Sequence, residues 1–167
     1  MLPFRLLYTL SDFVYLIVYY VVGYRKETVR KNIALALPHL SDAERLVIEK
    51  KSFQHLCDMF LEMIKTMNIS EKEIKKRFVL TNVEVLKKLE EQNKSIALML
   101  AHYASYEWVI SMNYYSSHRS TAIYKKIANP YFDKLVRDIR SRFKSSLVTT
   151  KESVPTIIRN KNNNILA

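Results

Sequence analysis

The sequence predicts an α/β protein in which a membrane-associated N-terminal helix and a helical segment precede a mixed sheet covered by helices. Three observations lead to this prediction: an apolar, tyrosine-rich run near the N-terminus, an amphipathic helical pattern over residues 41–68, and short apolar runs that alternate with helical patterns further on. Such alternation is typical of layered α/β architectures. We expect three parts, at residues 1–24, 25–77 and 78–167.

The first part is the apolar run at residues 2–24. Its unbroken stretch, Phe13 to Val22, is shorter than the roughly 20 residues that cross a bilayer. Its tyrosines suit the headgroup boundary, and a basic cluster at residues 25–31 suits anionic lipid on the cytoplasmic side. We therefore favour an uncleaved membrane-associated helix over a tyrosine-rich core helix. The sequence leaves open whether the helix spans the membrane or lies on it.

Two capping boxes mark the starts of helices in the second part. Ser41 with Glu44 predicts a helix over residues 41–68, and Ser70 with Glu73 predicts a short charged helix ending near Arg77. The longer helix carries an apolar stripe that we expect to be core. The stripe consists of Phe53, Leu56, Cys57, Phe60, Ile64 and Met67.

Strands and helices are predicted to alternate in the third part. We expect strands at 78–81, 96–101 and 121–124, and helices at 83–92, 106–115, 130–143 and 155–160. The run 96–101 is apolar throughout, so we expect helices on both faces of it. Asn162 to Asn164 predicts a turn, and another apolar strand begins at Ile165. We therefore expect the natural chain to continue, and the C-terminal part of the sheet to be missing here.

Composition and charge narrow the class of function. Gly23 is the only glycine, which excludes the glycine-rich loops that bind nucleotide phosphates. Cys57 is the only cysteine and the four histidines lack metal-ligand spacing, so we expect no metal and no cofactor. The net charge of +11 predicts an anionic partner: nucleic acid, an anionic membrane, a phosphorylated substrate or an acidic protein. Residues 119–161 hold 11 Lys or Arg against three acidic residues, but their helical spacing favours a solvated face over a nucleic-acid site.

The most informative pair is His102 and Glu107, which follow the predicted strand 96–101. Residues five apart diverge on a helix and lie on opposite faces of a strand, so these two can share a site only across a strand-to-helix turn. Ligands of α/β proteins lie at such strand ends. The spacing predicts a general base, His102, oriented by the Glu107 carboxylate. On spacing alone, a structural histidine beside a helix N-terminus stays open.

Several motifs resemble the lipid A biosynthesis acyltransferases of Gram-negative bacteria, most of all the versions found in Bacteroidetes. The main one is Ala101-His102-Tyr103-Ala104-Ser105-Tyr106-Glu107-Trp108, which is similar to the His-x₄-Asp/Glu signature of glycerolipid acyltransferases. The supporting segments are residues 2–8, 11–13, 23–26, 29–32, 124–126, 129–133 and 140–143. Many members carry glycine where this chain has Ala101 and Ala104. Members also run longer, with an Asp-Gln motif in the next strand.

The resemblance implies transfer of a fatty acyl group from acyl carrier protein to a hydroxyl of a lipid A precursor, a phosphorylated glucosamine lipid. His102 would be the base and Glu107 its orienting group, while Arg142, Arg140 and Lys125 would hold a phosphate or the oxyanion. The enzyme would act without a cofactor, at the anionic cytoplasmic face of the inner membrane. Three alternatives remain: a lysophospholipid or aminolipid acceptor, an inactive truncated fragment, and a basic nucleic-acid-binding module.

Overall fold

A computed structural model describes residues 2–143, 145–160 and 165–166, the last two by their backbone alone. The chain forms two compact units, Met1–Ile64 and Lys65–Ala167.

The first unit is built from helices. Helix α1 spans Phe4–Leu16 and continues as a π-helical segment over Ile17–Val22. Gly23 ends this segment with a φ of 65°, a left-handed conformation that glycine adopts without steric cost. Helices α2, Lys26–Ala36, and α3, Asp42–Lys65, follow. The prediction of an N-terminal helix is confirmed.

The capping box before α3 is confirmed by its hydrogen bonds. The Ser41 N–H donates to Glu44 Oε2 at 2.8 Å, and the Glu44 N–H donates to Ser41 Oγ at 3.3 Å. Each side chain thus satisfies a backbone donor that the first helical turn leaves open. This local exchange fixes where α3 begins.

The apolar stripe of α3 is only partly core. Phe53 and Cys57 are buried, but the other four predicted core residues are exposed: Leu56, Phe60, Ile64 and Met67. The π-helical segment accounts for part of the difference, since Tyr19 packs edge-on against Phe53 with ring centroids 5.2 Å apart. A helical period identifies an apolar face, but it does not say which part of that face a neighbour will cover.

The second unit carries a small parallel sheet. Its strands are β1, Arg119–Tyr124, β2, Ser146–Thr149, and β3, Ile165–Leu166, in the order β2-β1-β3. Both neighbours of the central strand run parallel to it. The expected mixed sheet is therefore wrong for the strands described, which form two β-α-β crossovers instead. The predicted strand start at Ile165 is confirmed, whereas the turn predicted at 162–164 lies outside the described residues.

The described residues of the second unit also form five helices. They are α4, Glu71–Arg77, α5, Val83–Glu91, a 3₁₀ helix over Tyr106–Tyr114, α6, Pro130–Ser141, and α7, Ser153–Arg159. Each had been predicted from the sequence, although residues 106–114 form a 3₁₀ helix. Helix α6 begins where Asn129 Oδ1 accepts the N–H groups of Tyr131 and Phe132, with Pro130 in the first turn.

Two predicted strands did not form. Residues 96–101 make a single bridge at Ile96 and are otherwise irregular, with Met99 exposed to 92%. Residues 78–81 are also irregular. A strand needs a partner as well as apolar side chains, and the central strand β1 pairs with β2 and β3 instead.

Candidate active site

The centre of the candidate site is a buried ion pair between Glu107 and Arg140. Glu107 lies in the first turn of the 3₁₀ helix, and Arg140 lies in the last turn of α6. Arg140 Nε donates to Glu107 Oε2 at 3.0 Å, and Nη2 donates to Oε1 at 2.6 Å. The Glu107 side chain is 8% exposed, and the Arg140 side chain is 21% exposed. A carboxylate this deeply buried needs a hydrogen-bonded cation, and the bidentate guanidinium provides it.

His102 lies in the exposed loop that precedes this helix. The Tyr103 N–H donates to the Ala101 carbonyl at 2.9 Å, which makes His102 the central residue of a tight three-residue turn. Ala104 follows with a φ of 49°, in the left-handed region, at a cost of about 1–2 kcal/mol for an alanine. The loop therefore presents the imidazole to solvent on a backbone of unusual conformation.

Tyr106 packs against His102 and directly precedes Glu107 in the chain. Its ring centroid lies 4.2 Å from that of His102, with the planes inclined by 49°. Burial raises the pKa of the Tyr106 hydroxyl, and the negative charge of Glu107 raises this pKa further, partly offset by Arg140. The phenol thus stays neutral at physiological pH. Sequence reasoning missed Tyr106, although its position between His102 and Glu107 was visible.

His102 and Glu107 are not hydrogen-bonded to each other in the described part of the chain. The assignment of His102 as a base oriented by Glu107 therefore stays a prediction. Because the run 96–101 does not form a buried strand, His102 stays at the surface while the 3₁₀ helix carries Glu107 inward. The buried carboxylate is then satisfied by Arg140, which lies 33 residues further along the chain.

Two further cations had been predicted to contact substrate. Arg142 donates to the Thr66 carbonyl through Nη1 and to the Ile69 carbonyl through Nη2, the latter at 2.6 Å. It therefore holds the backbone that follows α3, and a phosphate would have to compete with these carbonyls. Lys125 is exposed at the C-terminal end of the central strand β1, the edge where α/β proteins bind ligands.

The remaining candidates have structural explanations. Cys57 is buried and burial raises the pKa of its thiol, so it is poorly suited to act as a nucleophile. Among the described residues, no three His, Cys, Asp or Glu side chains converge as a metal site would require. On the basic face of α6, intrahelical ion pairs join Lys134 to Asp138 and Arg137 to Asp133. The Lys134–Asp138 pair is exposed on both sides, as on an ordinary solvated helix face, whereas Asp133 is buried and also accepts the Ile127 N–H.

Comparison with known families identifies the class of enzyme. A model of the bacterial lipid A biosynthesis acyltransferase family matches residues 1–166. The chain therefore belongs to this family, and it is an acyltransferase of lipid A biosynthesis. No curated protein sequence matches it. The predicted family and the prediction of an acyl-transferring enzyme are confirmed.

Proposed function

We propose that the enzyme transfers a fatty acyl chain from acyl carrier protein to a hydroxyl of a phosphorylated glucosamine lipid, with His102 as the general base. The observation that carries this proposal is the family match over residues 1–166, because the family's activity requires an acyl donor and a lipid A precursor as acceptor. The exposed imidazole beside the buried Glu107–Arg140 pair supports the assignment of the base.

The reaction needs one proton acceptor and no acyl-enzyme. The imidazole of His102 takes the proton of the acceptor hydroxyl as that oxygen attacks the thioester carbonyl. The tetrahedral intermediate then collapses, the carbon–sulfur bond breaks, and the imidazolium returns the proton to the leaving thiolate. The products are an ester and the free thiol of the carrier. An exposed histidine suits this scheme because both large substrates must reach it.

We assign Glu107 the role of an orienting carboxylate that acts on His102 through its neighbours. It anchors Arg140 by two hydrogen bonds, and it lies next to Tyr106, on whose ring the imidazole rests. Arg140 has donors beyond the two that Glu107 uses, and these can help to stabilise the oxyanion.

The charge and location of the basic residues support the proposed partners. Lys125 is exposed at the carboxyl edge of β1 and is the better placed of the predicted phosphate ligands, because Arg142 is bound to backbone carbonyls. An acidic carrier protein suits a chain with a net charge of +11. The apolar N-terminal helix and the basic residues after it support a location on the cytoplasmic face of the inner membrane.

The proposal is tested by comparing acyl donors and lipid acceptors in a transfer assay. The purified chain is incubated with acyl carrier protein thioester or the matching coenzyme A thioester, and with a phosphorylated glucosamine lipid or a lysophospholipid. We expect transfer to be fastest with the carrier thioester and the glucosamine lipid, and to be reduced at least about 100-fold in His102→Ala. Preference for the lysophospholipid would instead support the alternative acceptor. Equal transfer by His102→Ala would overturn the assignment of the base.

A further inference from the structure

The loop around His102 orders its backbone more than its imidazole. Residues 101–104 are all exposed, and the turn closed by the Tyr103 N–H and the Ala101 carbonyl restrains main-chain atoms only. Within the described part of the chain, the imidazole makes no hydrogen bond and no ion pair. A general base needs its acceptor nitrogen within hydrogen-bond reach of the substrate proton. A contact from outside this loop must therefore orient the ring.

The ring of Tyr106 makes such a contact. Its centroid lies 4.2 Å from that of the His102 ring, and the two planes are inclined by 49°. This separation is just below the range of about 4.5–7 Å that is usual for aromatic pairs, so the two rings are closely packed. Tyr103, the immediate neighbour of His102, is 85% exposed and is not a fixed support. The imidazole therefore rests on Tyr106.

Tyr106 is itself anchored in the second unit. It is half-buried, it begins the 3₁₀ helix, and the next two residues, Glu107 and Trp108, are buried. Glu107 is held in turn by its two hydrogen bonds from Arg140. The pKa of the Tyr106 hydroxyl is raised by burial first, then by the charge of Glu107 and a hydrogen bond to it, against the opposing charge of Arg140. The tyrosine ring is therefore a fixed surface beside an exposed loop.

A fixed aromatic ring limits the rotation of an imidazole that packs on it. A histidine side chain has two torsions, and the second has a broad, roughly two-fold preference, so an unsupported imidazole takes several orientations. A displacement of about 1 Å at a reacting group can lower a rate about 100-fold. His102 as a whole stays exposed, so the support of Tyr106 leaves the imidazole accessible to substrates.

We propose that Tyr106 is a positioning residue for acyl transfer, whose ring holds the His102 imidazole in the orientation that accepts the proton of the acceptor hydroxyl. The role belongs to the ring rather than to the phenol hydroxyl, because the ring makes the contact with His102. Tyr106 acts on the reaction through His102 alone and transfers no proton itself. This inference rests on the proposed function, in which His102 is the general base.

The role of the ring is tested by Tyr106→Leu, which removes it, and Tyr106→Phe, which keeps it. Transfer from the carrier thioester to the phosphorylated glucosamine lipid is measured per folded molecule. We expect Tyr106→Leu to lower kcat about tenfold or more with KM changed less than about twofold, and Tyr106→Phe to restore kcat to within about threefold. The control, Tyr114→Leu, removes a half-buried ring of the same 3₁₀ helix that packs on Phe143 instead. Equal kcat values in the two leucine variants would overturn the proposal.

A double variant separates this inference from the assignment of the base. If Tyr106 acts only through His102, adding Tyr106→Leu to His102→Ala should lower the residual rate less than about twofold, and a further loss of about tenfold would overturn the positioning role. Full kcat in Tyr106→Leu, with a strong loss in His102→Ala, would overturn the positioning role alone. Full turnover in His102→Ala would overturn the assignment of the base on which the role rests. The ring contact is checked without activity by NMR: the His102 Hε1 resonance should move in Tyr106→Leu and stay in place in Tyr114→Leu.

Discussion

The two units contain similar clusters of glutamate, arginine and tyrosine that differ in their surroundings. In the first unit, Glu49 is 2% exposed and accepts hydrogen bonds from Arg30 and Tyr19. In the second unit, Glu107 is similarly buried and bound by Arg140, with Tyr106 beside it. A buried Glu–Arg pair is therefore not in itself a sign of catalysis.

The Glu49 cluster and the Glu107 cluster differ in the burial and the contacts of their tyrosines. The tyrosine of the first cluster is buried and ties two helices together. Tyr106 of the second cluster is only half-buried and supports the imidazole of His102 in an exposed, tightly turned loop. The first arrangement joins two helices, and the second places an exposed imidazole against a tyrosine that precedes a buried ion pair. The following variants test whether this contrast is correct.

The largest effect is expected from His102→Ala. Loss of a general base reduces turnover by about 10²- to 10⁴-fold, while the free energy of unfolding should change by less than about 0.5 kcal/mol because the side chain is exposed. The control is His55→Ala, which removes an exposed imidazole from α3. Kinetics and urea denaturation on the same preparations separate the two quantities. A large loss of stability in His102→Ala would contradict the proposed contrast.

Glu107→Ala and Glu49→Ala compare the two clusters directly. Each leaves an arginine without its buried partner, and we expect each to reduce the free energy of unfolding by about 2–3 kcal/mol. Only Glu107→Ala should also reduce turnover per folded molecule, by about 10-fold or more. Asp138→Ala, which breaks an exposed ion pair in α6, should cost no more than about 1 kcal/mol. A loss of turnover in Glu49→Ala at full folding would mean that the clusters are not functionally distinct.

The pH dependence of stability gives a finer test on Glu49. Burial raises its pKa, but hydrogen bonds from Arg30 and Tyr19 outweigh burial and hold the pKa below its ordinary value. A carboxylate with a lowered folded-state pKa stabilises the fold above its unfolded pKa of about 4.3, and this contribution is lost as pH falls through the folded value. The stability difference between the unsubstituted chain and Glu49→Gln should therefore shrink below about pH 4. A constant difference across that range would contradict the lowered pKa.

The smallest effects are expected from the tyrosine hydroxyls that tie the N-terminal helix to α3. Tyr8→Phe and Tyr19→Phe each remove one hydrogen bond to a buried glutamate, and each should cost about 1 kcal/mol. Tyr24→Phe, which changes an exposed side chain, is the matched control and should lie within about 0.5 kcal/mol of the unsubstituted chain. Equal stability of all three variants would remove the evidence for tethering.

Features that depend on neighbouring residues could be predicted from the sequence. The capping box at Ser41, the N-cap at Ser70 and the proline-led start of α6 are set by contacts within a few residues. Strand pairing depends on distant partners. The apolar run 96–101 therefore suggested a strand that does not form, whereas β2, with only Leu147 and Val148 apolar, was missed.

The candidate site shows the same limit. The proximity of His102 and Tyr106 is local and could have been anticipated. The pairing of Glu107 with Arg140 spans 33 residues, and the chain offers many arginines as possible partners. Nor could the sequence say that Arg142 would be held by the Thr66 and Ile69 carbonyls, some 75 residues away. Burial and long-range pairing decide which cations remain available to substrate.

Chemical rescue of His102→Ala by imidazole tests the central claim most directly. The side chain is exposed, so free imidazole can reach the vacated position. If His102 is the general base, acyl transfer from the carrier thioester should rise with imidazole concentration in this variant and stay unchanged in Glu107→Ala. Turnover by His102→Ala close to that of the unsubstituted chain, without added imidazole, would contradict the assignment.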